Sequence, residues 1–114
     1  MPEIRSRGRV VVAKADRLTR RLPQAVGLMF SKPRNLLFEF PKPQRVRLHM
    51  FFVFFAIDVV FLDFQKRVVK LKKNLRPFRI HFCPHPSRYV LELKKGTIES
   101  ADIRVGDTLS FPSA

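Results

Sequence analysis

Three side chains that ligate metals fall two residues apart in the segment HFCPHP: His81, Cys83 and His85. On an extended strand this spacing puts successive side chains on one face. Imidazole with thiolate suits zinc or copper, and His49 would complete four ligands. Pro84 and Pro86 count against the site, because they put the end of the strand inside the motif. A solvent-side histidine pair beside a half-buried cysteine is the plainer reading, and the sequence implies no cofactor elsewhere.

A second grouping joins Asp58 to His49 and Arg88. An aspartate inside an apolar strand must be hydrogen-bonded or salt-bridged, because burying it alone is costly. It reads either as a proton- or ligand-handling carboxylate in a pocket near His49, Asp58 and Arg88, or as a buried acceptor. The acceptor would tie down backbone NH groups or an arginine such as Arg88, and this structural role is preferred. Asp63 reads as a turn residue. Nucleophilic catalysis finds little support. Ser31, Ser87 and Ser100 sit in no recognisable elbow, and no oxyanion site accompanies Cys83, although Arg79 and His85 could lower its pKa. The four glycines are scattered, so there is no phosphate-binding or dinucleotide loop. The balance leans away from an enzyme.

Charge is the third signal. Lys and Arg number 23 against nine acids, a net +14 with a sequence pI near 11.3. Such a field attracts polyanions, with RNA or DNA ahead of an anionic membrane surface. Lys66 to Lys95 holds ten bases and Glu92 alone among acids, whereas the C-terminal end is mildly acidic. Arg45, Arg47, Lys70, Lys72 and Arg79 are the candidate phosphate-contacting residues, joined by Arg5, Arg7 and Arg9. Base stacking would need an exposed aromatic ring beside them; Phe51, Phe78 and Tyr89 are the candidates, and Tyr89 alternates with core residues. The competing explanation is that lysines on outward strand faces guard against edge-to-edge aggregation.

The elements that must position these groups are mostly strands. The chain has 114 residues, 46% of them apolar, with twelve Phe, enough for one domain with its own core. Cys83 has no intramolecular partner, which fits a reducing, cytoplasmic setting. No apolar run opens the chain, so no signal peptide is expected. The longest run, Met50 to Leu62, spans thirteen residues, is interrupted by Asp58 and is too short to cross a membrane. Five Asn and Gln together hint at a heat-adapted source. VVVA at Val10 to Ala13 predicts a strand, and Asp16 could cap a helix from Arg17 towards Val26. NLLFEF reads as a half-buried strand stopped by Pro41 and Pro43. RVRLHM, the segment through Leu62, RVVKLKKNL, RIHF and RYVLELKKG read as further strands, with both faces apolar past Phe51. Val69 and Leu71 should oppose Lys70 and Lys72; Tyr89, Leu91 and Leu93 should oppose Val90, Glu92 and Lys94. Thr97 could cap a turn of helix, and Gly106–Asp107 turns the chain into a last strand at Thr108 to Phe111. The pattern is mainly β, an antiparallel β-sandwich or small barrel with one or two short helices. It divides into a basic N-terminal arm, 1–9, and a single β-domain, 10–114. Oligomeric state is not encoded in any of these signals.

Four blocks then fall in order: GLMF at Gly27 to Phe30, HMFFVFFAIDVVFLD at His49 to Asp63, RYVLEL with its following glycine at Arg88 to Gly96, and VGDTL at Val105 to Leu109. Together they resemble the prokaryotic "domain of unknown function 192" family over nearly the whole chain from Val10. The resemblance implies a compact antiparallel β-fold of jelly-roll appearance and no demonstrated chemistry. The chain departs from the family pattern at Ala56, where a proline is common, at Phe64-Gln65-Lys66, where a glycine-containing turn is usual, and at Pro23 to Val26. These departures concern loop geometry.

Overall fold

The computed structural model describes residues 3–6, 9–12, 16–18, 35–49, 55–77 and 80–112, and for residues 9, 11–12, 16–18, 41–49 and 80–85 the backbone alone. Its elements in order are β1 (Ile4–Ser6), β2 (Arg9–Val12), β3 (Asp16–Leu18), β4 (Leu36–His49), β5 (Ile57–Leu62), β6 (Val68–Leu75), β7 (Ile80–Lys94), α1 (Thr97–Ser100) and β8 (Leu109–Ser110). They make a three-stranded sheet in the order β2-β1-β8 and a five-stranded sheet in the order β3-β4-β7-β5-β6. Among the described residues every strand pairing is antiparallel except that of β3 with β4. This is the sandwich expected from the strand pattern; among the described residues neither sheet closes into a barrel. Ile4–Ser6, inside the stretch read as a basic arm, is the central strand of the smaller sheet, with Ile4 and Ser6 buried.

The two sheets share a core. Ile4, Leu109 and Phe111 pack on Leu37, Val60, Leu62, Tyr89, Leu91 and Leu93 of the larger sheet, with Ile98 of α1 and Ile103 at one end. The opposite face of the larger sheet carries a second cluster of Leu36, Phe38, Phe40, Ile57, Val59, Phe61, Leu75 and Val90. β4, β5 and β7 are interior strands, so both of their faces are apolar. This bears out the expectation for Ile57–Leu62 and corrects it for NLLFEF: Leu36 to Phe40 is buried throughout, because β3 and β7 flank β4 and the second cluster occupies its other face.

The prolines do not end strands as the sequence predicts. β4 runs through Pro41 and Pro43, and β7 runs through Pro84 and Pro86. The ladder between them takes Pro41, Pro43 and Pro84 into register shifts, one between Glu39 and Gln44 and one between Arg45 and Arg47, while Pro86 keeps a ladder position opposite Arg45. From Glu39↔Tyr89 to Gln44↔Ser87 the surplus residues are on β4; from Arg45↔Pro86 to Arg47↔Phe82 they are on β7. Proline has no NH to give, and a bulge is where the ladder does not require one.

Two helix expectations change. Asp16 to Leu18 is not a helix start but strand β3, paired in parallel with Leu36 to Phe38. Sheet pairing with β4 overrides the local capping preference. Residues 19–34, with the rest of that predicted helix and the GLMF block, lie outside the described residues, as do Phe51, Phe78 and Arg79. At α1 the N-cap is Gly96 (φ 89°), not Thr97, whose hydroxyl instead donates to the Lys94 carbonyl at 2.7 Å. A left-handed φ suits glycine, which lacks the Cβ that penalises this conformation.

Candidate functional site

Asp58 lies on β5 opposite Leu93, facing the inter-sheet core, and is 2% exposed. Its two oxygens are both engaged by backbone donors. The Asn74 NH donates to Oδ1 at 3.0 Å, and the Ile98 NH donates to Oδ2 at 2.9 Å. Asn74 has a left-handed φ of 55° at the end of β6, and Ile98 is the second residue of α1. The aspartate therefore caps α1 from another element and fixes the end of β6 at the same time. This is the structural role expected of it. No local spacing could reveal it, since the partners are 16 and 40 residues away in sequence.

Glu92 is its counterpart on the other face. On β7 it stands between Leu36 of β4 and Val59 of β5, both members of the second cluster, and is 2% exposed. Its Oε2 is buried without a hydrogen-bond partner. Burial pushes its carboxyl from the ordinary 4.5 up to about 8, so it holds its proton at neutral pH. Strand alternation grouped Glu92 with the face opposite Tyr89 but gave no sign that this face is also buried. The available signal was the apolar run on both sides of it, Tyr89 to Leu93.

The pocket grouping is spread along the sheet. Asp58 is level with Leu93, and Arg88 is five residues further along β7, a separation of ~17 Å at strand rise. His49 pairs with Ile80, further still. Arg88 donates from Nη2 to Glu39 Oε2 at 3.2 Å and lies over the Tyr89 ring at 5.0 Å. Its Nη1 is buried and unpartnered. Of the metal grouping, the backbone of His81, Cys83 and His85 belongs to β7, but the register shift spans Cys83 to His85, so strict two-residue alternation does not hold there. Among the residues whose side chains are described, no group of three or more His, Cys, Asp or Glu could hold a metal ion.

The basic candidates lie on two strands of the larger sheet. β6 is an edge strand, with Lys70 opposite Phe61 and Lys72 opposite Val59. Both lysines are half-buried, while Arg67, Lys73 and Arg76 are exposed. The expected alternation fails at Val69, because a register shift lets Val68 and Leu71 pack into the first cluster and Val69 into the second. Arg45 and Arg47 are on β4, three strand spacings from β6, or ~14 Å across the sheet. They pair with Pro86 and Phe82, past the Leu62↔Tyr89 pair where β5 ends. The two basic pairs thus share a sheet but not a strand pair. Sequence reasoning missed the exposed aromatic of this region: Phe64, in the turn between β5 and β6, is 66% exposed, whereas Tyr89 is buried as expected.

No described helix is long and apolar enough to cross a membrane. Comparison with known proteins gives the family. The sequence profile of domain of unknown function 192, "Uncharacterized ACR", matches residues 3–111. A UPF0127 protein of Pyrococcus furiosus is 39% identical over 90% of this chain and 88% of its own length. One of Pyrococcus horikoshii is 39% identical over 79% of this chain and 80% of its own. These relatives from thermophiles fit the low Asn and Gln content. Two crystal structures share the fold at 21% identity. A protein of unknown function from Novosphingobium aromaticivorans superposes with a TM-score of 0.84 over 96% of this chain and 82% of its own. A protein described as a putative transcription regulator, from Sinorhizobium meliloti, superposes with a TM-score of 0.80 over 96% and 91%. With the four sequence blocks, the sandwich and the profile match in agreement, the chain belongs to the domain of unknown function 192 family.

Proposed function

We propose that this protein is a non-enzymatic binding module that engages polyanions, nucleic acid foremost, through the basic edge of its larger sheet. The observation that carries this reading is β6: an edge strand bearing Lys70, Lys72 and Lys73, flanked by Arg67 and Arg76. From Phe64 to Leu91 the chain has eight bases and no acid. Among the described residues no carboxylate pairs with Lys70, Lys72, Lys73 or Arg76. Cations not neutralised by the fold are available to phosphates, and each phosphate contact releases counterions. Arg45, Arg47 and Arg79 would extend the contact, in a cytoplasmic setting. A pocket at His49, Asp58 and Arg88 has less support, since both Asp58 oxygens already accept backbone hydrogen bonds.

The test is a salt titration of binding to a labelled single-stranded RNA and to its duplex. The expected result is micromolar affinity near physiological salt, a log–log slope of several released counterions, and a tenfold or greater loss in the double variant Lys70→Glu, Lys72→Glu. Binding that vanishes by about 0.15 M salt is ordinary nonspecific association and overturns the reading, as does a charge-reversed variant that binds like the parent.

A further inference from the structure

We infer that Phe64 is a stacking platform for an unpaired nucleobase, set at the end of the basic β6 edge, so that the preferred ligand is single-stranded. This inference rests on the polyanion reading above. Tight turns are usually made of Gly, Pro, Asn, Asp and Ser, yet this one presents a phenylalanine to solvent at 66% exposure. Phe38, Phe40, Phe61 and Phe111, by contrast, are all at most 5% exposed. A single exposed apolar residue is common on protein surfaces. Two further features separate this one.

The first is that the turn is held rigidly. Asp63 Oδ1 accepts from the NH groups of Gln65 and Arg67, each at 2.9 Å. The Asp63 NH donates to the Arg67 carbonyl, and the Lys66 NH to the Asp63 carbonyl, both at 3.0 Å. Lys66, at a left-handed φ of 63°, donates from Nζ to the Phe111 carbonyl at 2.5 Å and lies over the Phe111 ring at 4.5 Å. The Leu109 NH donates to the Lys66 carbonyl at 2.9 Å, tying the turn to β8. A ring on so constrained a turn loses little backbone freedom when a base stacks on it.

The second feature is charge. The Arg67 guanidinium folds back to donate to Gln65 Oε1 at 3.2 Å, next along the chain from Phe64. Lys70 and Lys72 then follow on one face of the edge strand, ~7 Å apart at strand rise. An exposed aromatic ring in the turn that leads into a cation-bearing edge strand suits a ligand that offers a base and then phosphates. An anionic membrane surface fits less well. Val105, another exposed apolar residue at 62%, sits in the loop whose Gly106 NH donates to the Val68 carbonyl; that loop carries Asp102 and Asp107, and Asp102 neutralises Arg104 through two 3.0 Å hydrogen bonds.

The experiment compares the full-length chain with Phe64→Ala, Phe64→Tyr and the Lys70→Glu, Lys72→Glu double variant. Each is titrated with labelled oligouridine and with an RNA duplex of equal length, after thermal melts confirm folding. The expected result for Phe64→Ala is a roughly tenfold loss for the single strand, within the range of alanine substitution at a stacked base. Duplex affinity and salt slope should stay unchanged, and Phe64→Tyr should restore single-strand binding. If Phe64→Ala binds oligouridine like the parent while the lysine double variant does not, stacking is overturned and the polyanion reading stands. If Phe64→Ala weakens both ligands equally, the single-strand preference is overturned. If the lysine double variant loses nothing, the polyanion reading fails, and the stacking inference fails with it.

Discussion

Asp58 and Glu92 make the most instructive pair in the molecule. Both are carboxylates on interior strands of one sheet, both are 2% exposed, and they face opposite sides. Asp58 accepts two backbone hydrogen bonds, whereas Glu92 has an orphan oxygen and a carboxyl pushed to about 8. Equal burial therefore has unequal consequences. Burial strips water from both carboxyls, and only donors supplied by the protein can replace its hydrogen bonds. On the inter-sheet side, the strand end at Asn74 and the start of α1 supply those donors. On the other side, the flanking positions are Leu36 and Val59, which supply none.

The contrast breaks most readily at Asp58. Asp58→Ala strands the NH groups of Asn74 and Ile98 beside the core, and the expected loss is roughly 3–5 kcal/mol. Urea denaturation at neutral pH measures it; a loss below about 1 kcal/mol would mean that water or another acceptor replaces the carboxylate. Glu92 sharpens the comparison through pH. Its folded-state value lies above the unfolded one, so the folded protein holds a proton that the unfolded chain releases. Its contribution to stability is fully present below the ordinary value of 4.5 and is lost as pH rises through about 8. The Glu92→Gln variant should remove this slope and gain a few kcal/mol over the parent at alkaline pH, as seen in chemical denaturation from pH 5 to 9. Parallel pH profiles for the two proteins would contradict a proton held at Glu92.

A smaller effect is expected at Gly96, where the backbone turns into the helix that Asp58 caps. A Cβ there meets nothing within 4 Å, so Gly96→Ala isolates the left-handed φ of 89° and should cost about 1 kcal/mol. The smallest effect belongs to the basic edge. The Lys70→Glu, Lys72→Glu double variant should unfold within about 0.5 kcal/mol per site of the parent, even though its polyanion affinity falls. A large destabilisation would reveal that these half-buried lysines serve the fold.

Much of the strand layout was legible in the sequence. β2, β5 and β6 lie close to their predicted positions, because apolar periodicity reports burial directly. The errors have a common cause. Asp16, Pro41, Pro43, Pro84 and Pro86 carry strong local preferences, which were overridden where a neighbouring strand was available to pair or a bulge to accommodate them. Phe64 was missed as an exposed ring for a related reason, since a Phe-rich sequence cannot say which phenylalanine lands on a turn.

The sequence by itself determined a mainly β protein, strongly basic, with an aspartate that had to be satisfied inside an apolar strand. Those properties follow from composition, alternation and the cost of burying charge, all of which act locally. Only the tertiary structure decided which acid was satisfied. That choice depends on whether backbone donors from distant segments converge on the carboxylate, as the NH groups of Asn74 and Ile98 do on Asp58 and as none does on the Glu92 Oε2.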